Sequence, residues 1–218
     1  MNHLLIKVFA GLVASALCSF GQSSLVVNMG FTTGGMFISD NGYIGTLGYQ
    51  FTVGAAPIDV LSLGICNWSE EGLANSHEVG LWDSKGNLLA STIIRAGSTT
   101  DLFVYSAVTP VLLEANETYI IGASYIGHDS DLIGISDSYN GGSPTYNSAV
   151  TFDADRYDSS LSGLIFPTMT DFPEWQGEFG PNAQIEVVPE PATYTLFGLL
   201  FCCIFVVVSW CHVGLVRN

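Results

Sequence analysis

Positive charge is scarce in this sequence. Five of its 218 residues are Lys or Arg, against 20 Asp or Glu, for a formal net charge of −15. Every acidic residue lies between positions 22 and 193, where only Lys85, Arg95 and Arg156 oppose them. A surface of that sign repels phosphate backbones and anionic headgroups, which excludes DNA and RNA as partners. It suits solubility outside a cell, and it attracts divalent cations. Cysteine is missing where it could cross-link a domain. Cys18 falls in an N-terminal apolar segment and Cys202, Cys203 and Cys211 in a C-terminal one, so Cys66 stands alone between them. No intradomain disulfide can form, and packing alone must hold the core. A lone thiol of this kind is most often a buried one.

Catalytic signatures are also absent. Gly122-Ala123-Ser124-Tyr125-Ile126-Gly127 approaches a nucleophile elbow but has one residue too many before the second glycine. His77, His128 and Cys66 lack zinc-ligand spacing. No long window between Gln22 and Val188 carries capped helical periodicity.

The two ends read differently from the middle. Residues 1–21 combine Lys7, an apolar run through Leu12, Val13, Ala14, Ala16 and Leu17, and small residues near Ser19 and Gly21. That is the build of a signal peptide cleaved near Gly21–Gln22, and bulky Leu17 before Cys18 argues against a lipoprotein site. Tyr194 to Val216 contains no charged residue and is long enough to cross a bilayer as one helix. Arg217 follows it, which orients the end toward the cytoplasm and the bulk of the chain outside. Residues 22–187 remain for one domain with its own core.

That middle region is rich in glycine and aromatics, and short β-prone runs alternate with turn residues. Strands are predicted near Ser24–Asn28, Thr46–Val53, Asp59–Asn67, His77–Asp83, Leu88–Arg95, Asp101–Val108, Thr118–Tyr125, Ala149–Phe152 and Gln184–Val188. His128–Asn147 reads as long loops. Val79 to Ala90 predicts a hairpin around Asp83-Ser84-Lys85-Gly86-Asn87, with Gly86 free to take positive φ and Asp83 able to bond back to the turn. Leu113 to Thr118 predicts a second polar turn. Many short strands without crossover helices indicate an all-β, antiparallel, jelly-roll-like sandwich, flanked by the signal peptide and a single transmembrane helix.

Two resemblances follow. Val188-Pro189-Glu190-Pro191, directly before the apolar tail, resembles the PEP-CTERM sorting signal of exported bacterial proteins: a Pro-Glu-Pro motif, a membrane helix and a basic end. Here the basic end is Arg217 alone, where that family carries a cluster. The resemblance covers residues 188–218. It implies processing by an exosortase, a membrane-embedded cysteine transpeptidase-like enzyme, in a Gram-negative host that makes extracellular polysaccharide. The second resemblance spans about Ile58 to Tyr125. Leu73-Ala74-Asn75-Ser76-His77-Glu78-Val79-Gly80-Leu81-Trp82-Asp83, Leu88-Leu89-Ala90-Ser91, Val108-Thr109-Pro110 and Tyr119-Ile120-Ile121-Gly122-Ala123 are similar to DUF4082-type domains. Phe179-Gly180-Pro181-Asn182 is similar to the ending of such proteins. This implies a β-sandwich with no assigned catalytic activity.

Three kinds of chemistry find candidate residues. For Ca²⁺, Asp129, Asp131 and Asp137 with Gly134 partly follow an EF-hand loop, although Ile133 and Asn140 occupy two ligand positions; Asp153, Asp155 and Asp158 form a second group. Solvated acidic loops give the same pattern. For sugar contact, Trp68 and Trp175, with Tyr139, Tyr146 and Tyr157, sit in loop-like surroundings, where packing at the core edge is the competing role. Trp82 alternates with Gly80 in a strand and is assigned to the core. For glycoside hydrolysis, Glu174 and Glu178 beside Trp175, or Glu70 and Glu71 beside Trp68, supply carboxylates next to an aromatic ring. Neighbouring carboxylates are common by chance in so acidic a chain. His77 is expected to order the Glu70–Asn75 loop rather than transfer protons. Together these features predict a non-enzymatic exported protein, structural or adhesive in exopolysaccharide or biofilm. A carbohydrate-binding or calcium-dependent module is the alternative, and a polysaccharide-active enzyme is a third class.

Overall fold

The computed structural model describes residues 24–28, 36–39, 43–97, 99–126, 131–137, 145–160, 163–170, 175–178 and 180–188. Residues 1–21, for which a signal peptide is expected, Asp129, Glu174, Pro189, Glu190, Pro191, the apolar stretch 194–216 and Arg217 lie outside them. Among the described residues every regular element is a strand. In chain order these are β1 (Ser24–Leu25), β2 (Val27–Asn28), β3 (Met36–Ser39), β4 (Ile44–Val53), β5 (Ile58–Cys66), β6 (His77–Asp83) and β7 (Leu88–Ile94). They continue with β8 (Phe103–Leu113), β9 (Thr118–Ile126), β10 (Leu132–Asp137), β11 (Thr145–Tyr146), β12 (Val150–Asp158), β13 (Trp175–Glu178) and β14 (Pro181–Val187).

Two larger antiparallel sheets form the body. One runs β12-β4-β9-β6-β7 and the other β1-β14-β5-β8. Smaller sheets, β13-β10-β3 and β11-β2, complete the set. The two large sheets share one apolar core. Leu47, Tyr49, Phe51 and Val53 alternate inward from β4, and Tyr119, Ile121, Ala123 and Tyr125 from β9. Ile58, Val60, Leu63 and Ile65 meet them from β5, with Ala183 and Ile185 from β14. The period of two breaks within β5, where the pairing with both neighbours shifts between Val60 and Ser62. The extra residue, Leu61, switches parity, so even positions face inward before the bulge and odd positions after it.

The predicted strands all exist, but several boundaries move. β8 continues through Thr109-Pro110 to Leu113, because it is a sheet edge, where proline removes no needed ladder bond. β12 runs on to Asp158 despite its acidic residues, with a register shift between Phe152 and Ala154. The long-loop reading of His128–Asn147 is corrected: Leu132–Asp137 forms β10, paired with both β3 and β13. Glycine and serine around that short run hid it.

Both turns form as their residues dictate. In the β6–β7 hairpin, Asp83 Oδ1 accepts the N–H of Lys85 and Asn87, Oδ2 accepts Asn87 Nδ2, and Gly86 takes φ 85°. Asn87, through its side chain and backbone, holds the exposed Asp83 carboxyl below the usual range. In the β8–β9 turn, Asn116 takes φ 62° and Glu117 N donates to Glu114 O.

Trp82 is buried, as expected, but on the outer face of the five-stranded sheet rather than between the sheets. Gly48, Gly122 and Gly80 pair across three strands and form a row without side chains. The indole lies over that row: a Cβ on Gly80 would sit 2.6 Å from the Trp82 ring, and one on Gly122 3.4 Å from it. The segment 163–169 covers the ring. Phe166 meets it edge-on at 6.1 Å, Ile165 N donates to Thr46 Oγ1, and Met169 bridges to Tyr157. Arg156 links the cover to the sheet, donating to Gln50 Oε1 and the Thr168 carbonyl.

Gly48→Ala is expected to destabilise the fold by about 3 kcal/mol or more, because the new Cβ would meet the Ile121 carbonyl oxygen at 2.0 Å. Trp82→Ala is expected to cost about 3–5 kcal/mol. Urea denaturation followed by circular dichroism checks both; a Gly48→Ala midpoint equal to that of the parent chain refutes the close approach.

Candidate functional site

The polar features of the chain concentrate where β5 gives way to β6. Asn67, immediately after buried Cys66, is itself buried and acts as a hub. Its Nδ2 donates to the carbonyls of Thr99 and Asp101, and its Oδ1 accepts Gly72 N and Ser69 Oγ. The loop between needs unusual backbone: Glu70 takes φ 54° and Gly72 φ 112°. Leu73 then bridges to Gly97. The result is an open groove lined by Ser69, Glu71, Gly72, Leu73, Ala74, Gly97 and Asp131.

Under its rim lies a buried pair. His77 opens β6 with no exposed surface, and Asp131, just before β10, is 8% exposed. His77 Nε2 stands 3.0 Å from Asp131 Oδ2, and Nδ1 stands 2.9 Å from the carbonyl oxygen of Ser124 on β9. Both neighbours are acceptors, so the contacts are satisfied together when both ring nitrogens carry protons and Asp131 is ionised. The Tyr125 ring closes the pocket edge-on at 5.0 Å. Asp131 also accepts Ala74 N at 2.8 Å and Asn75 N at 2.9 Å. Burial opposes ionisation of Asp131, but the bonds from His77, Ala74 and Asn75 and the charge of His77 outweigh it, and the carboxyl is held below its ordinary range.

His77 therefore has the role expected of it, with one addition: it orders the loop through Asp131. The sequence pattern offers Asp131 as a calcium ligand, whereas its oxygens here receive three donors from the fold. With both nitrogens facing protein acceptors, His77 cannot relay a proton to a bound molecule without breaking this clasp.

The other candidates are dispersed. Asp153, Asp155 and Asp158 lie along β12 rather than in a loop. Asp153 accepts Thr52 Oγ1 at 2.7 Å, and Asp158 accepts Ser160 N at 3.1 Å and Thr168 Oγ1 at 3.3 Å. Asp155 is buried and pairs with Tyr49 on the inward face. Among the described residues no three His, Cys, Asp or Glu side chains converge as a metal site. Asp137 and Trp175 are register partners in β10 and β13, and Glu178 stands in β13 opposite Ile135. Trp68, Glu70 and Glu71 are exposed, with Glu71 on the groove wall. Tyr146 stacks on Phe152 at 5.4 Å, and both it and Tyr157 pack against the core. Sequence reasoning missed Asn67 as the hub; the one available signal was an amide residue directly after an apolar strand. No family model matches the chain, and no curated protein matches it either.

Asp131→Asn is expected to cost about 3 kcal/mol, since it leaves a buried imidazole without its charge partner. The pH dependence has a definite sign. An unfolded Asp titrates near 3.9, and the folded Asp131 titrates lower. Its contribution is therefore full above about pH 4 and disappears as pH falls through the folded value. Urea midpoints between pH 6 and 3 should fall less steeply in Asp131→Asn than in the parent chain, and parallel slopes would contradict the pairing. Cys66 gives a separate check. Burial pushes its thiol up to about 12, so it should not react with a thiol reagent at pH 8 while folded and should react fully in denaturant. Peptide mapping of the labelled chain distinguishes Cys66 from the other cysteines.

Proposed function

We propose that the chain is an exported envelope or extracellular matrix protein, sorted through a PEP-CTERM-like tail and acting structurally or adhesively in exopolysaccharide or biofilm. The observation that carries this reading is the order of segments at the C-terminus. β14 ends at Val187, and Val188 N still donates to the Pro57 carbonyl at 2.9 Å. Pro189-Glu190-Pro191, the charge-free stretch from Tyr194 to Val216, and Arg217 follow at once. The motif thus begins two residues after the end of β14, close behind the last described strand. Its two prolines disfavour a helix reaching outward from the membrane and keep the glutamate in an extended segment.

The topology supports a jelly-roll arrangement. Taking β1, β4, β5, β6, β7, β8, β9 and β14 as eight successive strands, the sheets read first-eighth-third-sixth and second-seventh-fourth-fifth, with β12 added beside β4. In this reading the precursor spans the inner membrane of a Gram-negative bacterium, exosortase cleaves near the motif, and the sandwich is released to the surface. Extracellular polysaccharide is the surrounding partner. The tight commitment of His77 and Asp131 to loop order favours a structural role over a hydrolytic one.

Replacing Pro189, Glu190 and Pro191 together with alanine should leave a full-length precursor in the membrane fraction, while the parent chain yields a shorter released form. Mass spectrometry of both fractions measures the outcome. A variant processed at the parent rate would remove the basis of the sorting assignment.

A further inference from the structure

Asparagine stands two places before a serine or threonine twice in the sequence, in Asn67-Trp68-Ser69 and in Asn116-Glu117-Thr118. That spacing is the acceptor pattern for N-linked glycans in exported proteins. The fold treats the two sites oppositely. Asn67 is 2% exposed, and its Nδ2 donates to the carbonyls of Thr99 and Asp101. A glycan on that nitrogen would take away a donor and force a bulky polar group into the hub. Asn116 is exposed in the β8–β9 turn, between exposed Glu114 and Glu117. The main chain fixes this turn: Asn116 N donates to the carbonyls of Val53 and Gly54 at 3.1 and 3.0 Å, and Glu114 N donates to Tyr119 Oη at 2.9 Å. The Asn116 side chain takes no part in that bonding, and its Nδ2 makes no hydrogen bond among the described residues.

We infer that Asn116 is the acceptor of an N-linked oligosaccharide, an inference that rests on the export proposed above. The donor is an oligosaccharide carried on a polyprenyl pyrophosphate, and the catalyst is a membrane oligosaccharyltransferase. Asn116 Nδ2 attacks the anomeric carbon of the sugar. The new N–C bond forms, the bond from that carbon to the pyrophosphate oxygen breaks, polyprenyl pyrophosphate leaves, and one amide proton passes to a basic group of the transferase. No oxidant or reductant is consumed. The fold sets the timing. Thr118 Oγ1 lies 3.0 Å from Thr52 Oγ1, across the ladder between β9 and β4. The hydroxyl of the acceptor pattern is therefore free only before β9 closes on β4, so transfer accompanies export and precedes folding. Folding afterwards leaves the glycan in solvent with every bond of the turn intact. Glu114, two residues before the acceptor, adds an exposed carboxylate that a cationic patch on the transferase can grip, whereas buried Ile65 holds the same place before Asn67.

The test produces the full chain in bacteria that supply an oligosaccharyltransferase and a polyprenyl-linked oligosaccharide of known mass. One strain carries the chain with its own first 21 residues, and a second replaces them with an established signal peptide, so that export and transfer are read separately. Mass spectrometry of peptides should find the oligosaccharide at residue 116 in both. Asn116→Gly, which keeps the positive-φ turn, and Thr118→Val, which keeps a β-branched residue in the strand, should each lose it completely. Circular dichroism equal to that of the parent shows that both variants are folded, and folded chains should carry nothing at Asn67. Exported chain without a glycan at residue 116, a glycan retained there in Thr118→Val, or folded chain modified at Asn67 would each overturn the inference. Cytosolic retention of the chain with its own first 21 residues would remove the export on which it rests.

Discussion

The imidazole of His77, held between the Ser124 carbonyl and the Asp131 carboxylate, ties the paired strands β6 and β9 to the entry of β10, which belongs to another sheet. It reaches from the first residue of β6 to β9 on one side and to the entry of β10 on the other. Through Asp131 it also fixes the backbone of Ala74 and Asn75, and so the wall of the groove. The physical weight of such a pair lies in its asymmetry. An apolar replacement of both partners can be nearly neutral, whereas loss of one leaves a buried charge or donor with nothing to answer it. The loop after β5 is set by this clasp and by the Asn67 hub, two polar devices that do work a disulfide would do elsewhere. The chain has only one cysteine in this region, and that thiol is buried.

A second constraint acts on the opposite face of the same sheet. The row Gly48, Gly122 and Gly80 gives up side-chain packing at three adjacent positions, and the Trp82 indole refills the space. This makes the sandwich thicker than two layers. The coil 163–169 becomes a third layer because the indole offers it an apolar surface to cover, with Phe166 edge-on to the ring and Leu164 over Gly80. Ile120 belongs to this outer cluster rather than to the central core: it pairs with Trp82 across β6 and β9 and is fully buried.

Much of this was legible in the sequence, and the exceptions share causes. The central strands were readable because apolar and small residues alternate with a clear period of two. The hairpin at Asp83–Asn87 was readable because aspartate and glycine have local reasons to be there. Edge strands were harder. The predicted strands stop at Val108 and Phe152, short of Pro110 and of Asp153 to Asp158, since the residues that protect a sheet edge are those that elsewhere end a strand. The role of Asp131 depended on a contact with His77 across 54 positions, which no local pattern encodes. Trp82 was correctly placed as buried, but on which face depended on knowing that glycines from three strands fall into register.

Val188 is pinned to Pro57, at the end of the sandwich where β4 hands over to β5. The clasp and its groove lie beyond Cys66 at the other end of β5, roughly 26 Å away for a strand of that length. The groove and Val188, the last described residue, therefore lie at opposite ends of the sandwich.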